Sequence, residues 1–203
     1  MMDFTYGNID AACADRLADA SIKPPGFRIA DVNVYHQPGD TEPWVARLVA
    51  DLVVARDAFS VLETGGFNGT TSLWLYDALD RLGRGYLTVC EIDRERATKI
   101  ANRLKTHKVD TVGLSVMFMD VTSFLATTDL RFDLAFVDDD HTKAHVTKEL
   151  TLLYPKMNPG GLICLHDAFG SCDLQSVIRR FGGYSLDFPR LGPAGGLGFI
   201  QAQ

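Results

Sequence analysis

The feature that most constrains the fold is a repeating order of short apolar strands and amphipathic helices that begins near residue 60. Strands that alternate with helices predict an α/β fold, in which parallel strands are joined by right-handed crossovers and helices cover both faces of the sheet. The pattern predicts strands at Ser60–Glu63, Tyr86–Glu91, Ser115–Met119, Phe132–Val137 and Leu162–Leu165, and helices at Gly69–Leu82, Asp93–Lys105, Val121–Ala126, Ala144–Tyr154 and Leu174–Arg180.

The two ends of the chain depart from this alternation. The last two strands, Tyr184–Phe188 and Leu197–Gln201, have no helix between them, so they predict an antiparallel hairpin at the sheet edge and seven strands in all. Residues 1–40 have an irregular pattern with a short helix at Ile9–Ala20, and a further helix is predicted from Glu42 to Arg56 behind a Thr41 cap. We therefore expect residues 1–59 to form a lid or dimer element and residues 60–203 to form the ligand-binding domain.

Composition and charge narrow the function classes. The chain has 203 residues, of which 46% are hydrophobic and 23% charged, as in a soluble globular protein. Its net charge of −6 provides no basic surface for nucleic acid or an anionic membrane, so we expect neither as a partner. The absence of a leader pattern, of a long apolar run and of a C-x-x-C pair predicts a cytoplasmic protein, with Cys90 and Cys164 buried and reduced.

A glycine-rich loop, Glu63–Thr71, follows the first strand. Glycines let a backbone turn sharply and lie against a ligand, and the helix that follows offers free N–H groups. A dinucleotide-binding loop would need glycines at positions 65, 67 and 70, but Phe67 and Thr70 stand at the last two. The loop instead has the pattern acid-x-Gly-x-x-x-Gly, carried by Glu63, Gly65 and Gly69.

Acidic residues also end the next two strands. Glu91 lies 22 positions after Gly69, near the ~20-residue offset at which a carboxylate accepts both ribose hydroxyls of a nucleotide. Asp93 is expected to cap the next helix. Asp120 has two interpretations, a contact to an adenine amino group or a helix cap.

The most informative segment is the run Asp138-Asp139-Asp140-His141 at the end of the fourth predicted strand. His166 and Asp167 end the fifth, so Asp138, His141, His166 and Asp167 converge if the two strands are neighbours. Such a set could bind a divalent cation, Mg²⁺ on carboxylates or Mn²⁺, Fe²⁺ or Zn²⁺ if imidazole joins. Alternatively, His141 or His166 acts as a general base oriented by a carboxylate. Asp139 and Asp140 are also explained by a solvated acidic turn.

In this order and spacing, the motifs resemble those of the class I S-adenosylmethionine-dependent methyltransferases. The loop is similar to their motif I, and the run from Phe132 through Pro159-Gly160-Gly161 to Asp167 is similar to the small O-methyltransferase branch, which includes catechol and antibiotic- or sugar-tailoring enzymes. The resemblance covers about residues 60–201. It implies a Rossmann-like sandwich that binds S-adenosylmethionine through Glu63, Thr64, Gly65, Gly66, Gly69, Thr71, Glu91, Ile92, Asp120, Val121 and Asp138.

The resemblance also implies O-methylation of a small molecule. Asp138 and Asp167 correspond to two metal-binding aspartates of the metal-dependent members, with His166 or His141 as the third ligand, although Ala168 stands where the catechol enzymes carry Asn. Lys143 is the nearest candidate for their lysine base, and it falls at a helix start where solvation is expected. Without a metal, His141 would take the proton of the acceptor.

Two other functions stay open on the sequence alone, a metal-dependent hydrolase that uses the Asp/His cluster and a non-catalytic nucleoside-binding domain. The first leaves the glycine loop and Glu91 unexplained, and the second leaves the Asp/His pairs unexplained. The N-terminal segment and the terminal hairpin are candidate homodimer contacts. The candidate acceptor-binding residues are Tyr35, His36, Trp44, Phe67 and the loop Phe188–Gly196.

Overall fold

Seven strands form one sheet in the order β3-β2-β1-β4-β5-β7-β6 in the computed structural model. The structure describes residues 39–107, 111–170, 173–187 and 195–203. The predicted helix at 9–20, the residues Tyr35 and His36, and positions 188–194 lie outside these ranges. The strands are β1 (Ser60–Thr64), β2 (Gly85–Glu91), β3 (Val112–Phe118), β4 (Phe132–Val137), β5 (Met157–His166), β6 (Tyr184–Leu186) and β7 (Leu197–Gln201).

Six α-helices are described, and they connect or flank these strands. They are α1 (Pro43–Ala55), α2 (Thr70–Leu82), α3 (Arg94–Thr106), α4 (Val121–Thr127), α5 (Lys143–Leu153) and α6 (Leu174–Arg180). A 3₁₀ turn at Tyr154–Lys156 follows α5. The alternation predicted from the sequence is confirmed in every described element between β1 and α6. None of the described helices is long and apolar enough to cross a membrane.

The strand order places a crevice at the carboxyl ends of β1 and β4. β1 pairs in parallel with β2 on one side and β4 on the other. The chain therefore moves outward from β1 to β3 and then returns to continue at β4. In open parallel sheets, ligands bind outside the carboxyl ends of the strands at such a reversal. The glycine loop leaves β1 at this point.

The terminal hairpin is confirmed, and it extends the parallel part of the sheet. β7 is antiparallel to both β5 and β6, and it lies between them. β5 is longer than predicted, because the Pro159–Gly161 segment belongs to the strand rather than to a turn before it. Backbone hydrogen bonds from Gly160 N–H to the Ala202 carbonyl and from Ala202 N–H to the Gly161 carbonyl hold it there. The pairing of β5 with β4 shifts register at this point.

β3 also begins earlier than predicted, at Val112 instead of Ser115. Gly113 lies before the predicted start, but it belongs to the strand and pairs with Tyr86 on β2. A Cβ atom at Gly113 would lie 2.1 Å from the Tyr86 ring, so the absence of a side chain leaves room for the ring to pack over Gly113.

The core consists of two apolar clusters, one on each face of the sheet. Consecutive strand residues point to opposite faces. Thus Val61 packs with the cluster that contains residues of α1, α2 and α3, whereas Leu62 packs with residues of α4, α5 and α6. α1 belongs to the first cluster through Val45, Val49 and Val53, so the helix before β1 is part of the same core.

Helix caps fix the two acidic strand ends and correct one prediction. Asp93 accepts a hydrogen bond from Arg96 N–H and caps α3, as predicted. Asp120 accepts one from Ser123 N–H and caps α4, so the capping interpretation of this residue is confirmed. The prediction that Thr41 caps α1 is wrong, since the N-cap is Glu42 and the Thr41 hydroxyl donates to Asp138 instead.

Candidate functional site

A cavity of about 580 Å³ lies at the carboxyl ends of the parallel strands. This volume is within the roughly 300–1,000 Å³ that is common for small-molecule sites. Its walls are the glycine loop, the strand ends of β2, β4 and β5, and the segment 39–41 before α1. It brings together most of the predicted site residues, namely Gly65, Gly66, Thr71, Glu91, Ile92, Asp120, Val121, Asp138, His141, His166 and Asp167.

Three predicted cofactor-binding residues lie behind the cavity wall. Glu63 is fully buried and accepts a hydrogen bond from the Ser72 hydroxyl. Burial outweighs the opposing hydrogen bond from Ser72 and, with smaller contributions from the charges of Asp138 and Glu91, raises its pKa to about 8. Thr64 is buried beside it, and its carbonyl accepts from Asp138 N–H at 3.1 Å. Gly69 forms the N-cap of α2.

Gly65 lets the loop lie directly on the end of β4. Its φ is +76°, in the left-handed region that favours glycine. A Cβ atom there would lie 2.3 Å from the carbonyl oxygen of Asp138 and 2.7 Å from Cα of Asp139. The Gly65 N–H donates to the Cys90 carbonyl on β2 at 3.0 Å. The loop is therefore held between β2 and β4, at the crevice.

Glu91 fastens the loop from the other side of the cavity. Its carboxylate accepts one hydrogen bond from Phe67 N–H and one from Asp93 N–H, each at 2.8 Å. Two carboxylate oxygens have about four acceptor sites, so these bonds leave capacity for two ligand hydroxyls. The ribose role of Glu91 stays a prediction, as does the adenine contact of Asp120 beside its capping role.

His166 is clamped between two carboxylates. Its Nδ1 lies 2.8 Å from Asp138 Oδ1, and its Nε2 lies 2.8 Å from Glu42 Oε2. Each nitrogen is best satisfied as a donor, so the ring is an imidazolium. Burial by itself would lower the pKa of His166, but the hydrogen bonds to Asp138 and Glu42 outweigh it and raise the pKa to about 10.

Asp138 is the centre of this group. One oxygen accepts from His166, and the other accepts from the Thr41 hydroxyl at 2.5 Å. Burial raises its pKa, but bonds to His141, His166 and Thr41 outweigh burial and hold the pKa below its usual range. Asp138 is therefore ionised at neutral pH, although it is almost fully enclosed.

His141 is the member of the group that remains available to a ligand. Its Nε2 lies 3.4 Å from Asp138 Oδ1 and 3.9 Å from Asp167 Oδ2. Burial by itself would lower the pKa of His141, but Asp138 and Asp167 outweigh burial, and the pKa is above its usual value. About a third of the His141 side chain is exposed and lines the cavity, while its Nε2 is enclosed beside the two carboxylates.

The donor atoms of this group decide whether it suits a metal ion. Asp138, His141 and His166 have potential ligand atoms within 4.8 Å of one another. However, a metal ligand must offer a lone pair, and both nitrogens of His166 donate to carboxylates in this arrangement. The described geometry therefore does not suit His166 as a ligand. The proton that His166 carries, in place of a metal ion, compensates the charges of Asp138 and Glu42.

Sequence reasoning missed two features of the site. Glu42 reaches His166 across 124 positions of the chain, and no local pattern marks it. The solvated-turn interpretation holds for Asp140 but is wrong for Asp139, which is only 18% exposed and lies 2.8 Å from His145. Lys143 is exposed and paired with Asp173, as expected for a solvated residue. Trp44 packs against the core, whereas Phe67 lines the cavity.

Comparison with known proteins adds a family and a fold. The profile of a family described as a methyltransferase domain matches residues 62–168. No curated protein matches the sequence significantly. Among solved structures, an SAH-bound methyltransferase from Podospora anserina superimposes with a TM-score of 0.73 at 16% identity, over 100% of this chain and 98% of that one.

Two further structures are similar over nearly their whole length. The O-methyltransferase TomG from Streptomyces achromogenes, in complex with SAM, has a TM-score of 0.68 at 21% identity, over 94% of this chain and 96% of that one. An O-methyltransferase from Bacillus cereus in complex with SAH has a TM-score of 0.70 at 17% identity, over 95% and 97%. At these identities the likeness establishes the fold.

Proposed function

The chain belongs to the methyltransferase-domain family, and we propose that it transfers the methyl group of S-adenosylmethionine to an oxygen atom of a small molecule. One observation carries this proposal. His141, the side chain best placed to take a proton, faces the same cavity as the glycine loop and Glu91. Cofactor and acceptor would therefore meet within one site. The hydrolase alternative would explain neither the glycine loop nor the family match.

The cofactor would lie along the glycine loop. Gly65 and Gly66 let backbone approach it closely, Glu91 has acceptor capacity for the ribose hydroxyls, and Ile92 and Val121 provide apolar surface for the adenine. The sulfonium is cationic, and a cavity that contains Glu91, Asp138 and other carboxylates attracts it. The SAM and SAH ligands of the solved neighbours support this assignment.

The chemistry needs little beyond positioning and one proton acceptor. S-adenosylmethionine supplies an electrophilic methyl group. The acceptor oxygen forms a bond to the methyl carbon while the carbon–sulfur bond breaks, and the electron pair of the broken bond stays on sulfur. His141 accepts the hydroxyl proton, and the Asp138 and Asp167 carboxylates near its Nε2 stabilise the imidazolium that results. His166 holds Asp138 in place through the clamp to Glu42.

The segment before β1 would cover the cavity. Asp40 accepts hydrogen bonds from Asn68 and Thr70 on the loop side, each at 3.0 Å. Thr41 and Glu42 reach Asp138 and His166 on the other side. A short cover of this kind favours a small acceptor. It supports a covering role for residues 40–42, whereas a lid or dimer element made of residues 1–59 stays a prediction, and α1 within that range belongs to the core.

The test combines cofactor binding with the position of the transferred methyl. Calorimetry should show binding of S-adenosylmethionine, and a labelled methyl group should be recovered on oxygen from a panel of phenols, hydroxy acids and amines. His141→Gln should lower turnover by about 10²–10⁴-fold, the usual contribution of a general base, with little change in cofactor affinity. Asp138→Ala should abolish turnover and only weaken cofactor binding.

The matched control is His107→Gln, which changes a histidine at the end of α3 that does not line the cavity. It should leave turnover and cofactor affinity unchanged. Label found only on nitrogen, or full activity in His141→Gln, would contradict the proposal.

A further inference from the structure

A second histidine–carboxylate group lies beside the catalytic one and shares no residue with it. Asp139 follows β4, and His145 and Glu149 stand one turn apart on α5. Their potential ligand atoms lie within 4.8 Å of one another. Asp139 and His145 also line the cavity, so an ion in solution can reach the group. The proposed methyl transfer uses none of these three side chains.

Glu149 is the unusual member of this group. Its side chain is fully buried, and neither of its carboxylate oxygens has a hydrogen-bond partner among the described residues. Burial and the neighbouring Asp139 raise its pKa well above the usual value. The Oδ1 atom of Asp139 is likewise buried without a partner within the described parts of the chain.

As a carboxylate, Glu149 has no charge of opposite sign within hydrogen-bond distance, and as a carboxylic acid it has Asp139 as its neighbouring acceptor, with which it would share one proton in place of a cation. A buried carboxylate needs a compensating cation or hydrogen bonds, and a buried carboxylic acid needs an acceptor for its O–H. The nearest basic atom, His145 Nε2, lies 3.7 Å from Glu149 Oε2, beyond hydrogen-bond distance. The same Nε2 lies 2.8 Å from Asp139 Oδ2. A cation between these three atoms would contact all of them.

The spacing suits a metal ion. Metal–ligand bonds of about 2.1 Å place neighbouring ligand atoms roughly 3.0 Å apart in octahedral and 3.4 Å apart in tetrahedral coordination. The separations of 2.8 and 3.7 Å bracket these values. His145 also differs from His166, because only one of its nitrogens, Nε2, lies within hydrogen-bond distance of a carboxylate, while Nδ1 lies 4.0 Å from Asp140. A metal ion bound at Nε2 would take the place of a proton there, and Nδ1 would keep the proton of the ring.

We propose that Asp139, His145 and Glu149 bind one divalent transition-metal ion. One imidazole with two carboxylates favours Mn²⁺, Fe²⁺, Co²⁺ or Zn²⁺ over Mg²⁺ and Ca²⁺, which prefer oxygen ligands alone. The ion would neutralise both buried carboxylates and tie the first turns of α5 to the end of β4. The cavity side of the site would leave coordination positions for water.

The experiment uses the full chain and metal alone. After treatment with a chelator and its removal, Co²⁺ is titrated while visible absorption and calorimetry are recorded, and Zn²⁺ and Mg²⁺ are then compared by thermal unfolding. The wild type should bind one Co²⁺ at this site with d–d absorption bands, and Zn²⁺ but not Mg²⁺ should raise its melting temperature. Glu149→Gln and His145→Gln should each weaken binding by at least tenfold.

Two further measurements separate this site from its neighbour and from a folding defect. His141→Gln removes an imidazole of the catalytic group and should retain the Co²⁺ bands. Metal-free Glu149→Gln should melt at or above the wild-type temperature, because glutamine keeps the shape of the side chain and removes a group whose ionisation burial disfavours. The proposal is overturned if the wild type binds no Co²⁺ at a free concentration of about 1 mM, which would saturate even a weak site halfway. It is equally overturned if binding survives Glu149→Gln or disappears in His141→Gln.

Discussion

Replacement of Gly65 by alanine tests whether the close approach of the loop to β4 builds the cofactor site. Gly182 provides a matched control, because both glycines have a φ of +76°. An added Cβ at Gly65 would lie 2.3 Å from the Asp138 carbonyl oxygen, whereas one at Gly182 would meet no described atom within 4 Å. The two variants thus share the conformational cost and differ only in the contact.

The magnitudes follow from that difference. The left-handed conformation costs a residue with a Cβ about 1–2 kcal/mol, and the lower entropy of the unfolded alanine variant offsets roughly 0.4–1 kcal/mol of it. Gly182→Ala should therefore lose about 1 kcal/mol. Gly65→Ala should lose a further ~1–3 kcal/mol, the usual cost of overpacking, because backbone atoms of two residues must move. For a chain of this size, each kcal/mol lowers the melting temperature by about 2–4 °C.

The assay is thermal unfolding with and without S-adenosylmethionine, followed by calorimetry at a temperature where both variants are folded. Gly65→Ala should melt roughly 4–16 °C below the wild type and bind the cofactor at least ~10-fold more weakly. Gly182→Ala should melt roughly 2–4 °C lower and bind normally. Equal losses of melting temperature and equal cofactor affinities in the two variants would refute the reasoning.

Three other predictions concern single carboxylates. Glu63 has a pKa near 8 in the folded chain against 4.5 as its ordinary value, so it holds a proton that the unfolded chain releases; stability should fall between about pH 4.5 and 8. Glu63→Gln should remove that fall, which is at most ~1.4 kcal/mol per pH unit. The free energy of unfolding in urea at pH 5, 6.5 and 8 measures it, and the same dependence on pH in the variant and the wild type would contradict the prediction. The raised pKa of His166 stabilises the fold fully below pH 6.5, and this contribution is lost as pH rises through 10. Glu42→Gln should lower the pKa of His166 in an NMR titration and lessen the loss of stability between pH 7 and 10. An unchanged pKa of His166 would show that the clamp is absent in solution. Glu91→Gln should weaken binding of S-adenosylmethionine by roughly 10–100-fold, as loss of a charged hydrogen-bond acceptor implies, and an unaltered calorimetric affinity would exclude its ribose role.

The sheet is predictable from the sequence because its signals are local. β1, β2 and β4 are apolar runs that end at acidic residues or in a glycine loop, and their predicted bounds agree with the structure to within one residue. The errors fall where glycine serves a neighbouring strand. The predicted strands begin only after Gly113 and Gly161, but Gly113 makes room for the Tyr86 ring and Gly161 bonds to Ala202. Such reasons lie on the partner strand, out of reach of a local pattern.

The site is predictable to the same extent, and for the same reason. Asp138, His141, His166 and Asp167 end two neighbouring parallel strands, so their convergence follows from the topology alone.

What convergence leaves undecided is the charge state of each group, because that depends on contacts made by residues from distant parts of the chain. Glu42 stands at the start of α1, and its position depends on how that helix packs on α2. Its contact with His166 adds to the hydrogen bond between His166 and Asp138, and with both nitrogens held by carboxylates His166 is an imidazolium, which leaves His141 as the available base. The charge state of His166 therefore depends on a local carboxylate, Asp138, which the sequence predicts, and on a distant one, Glu42, which it does not.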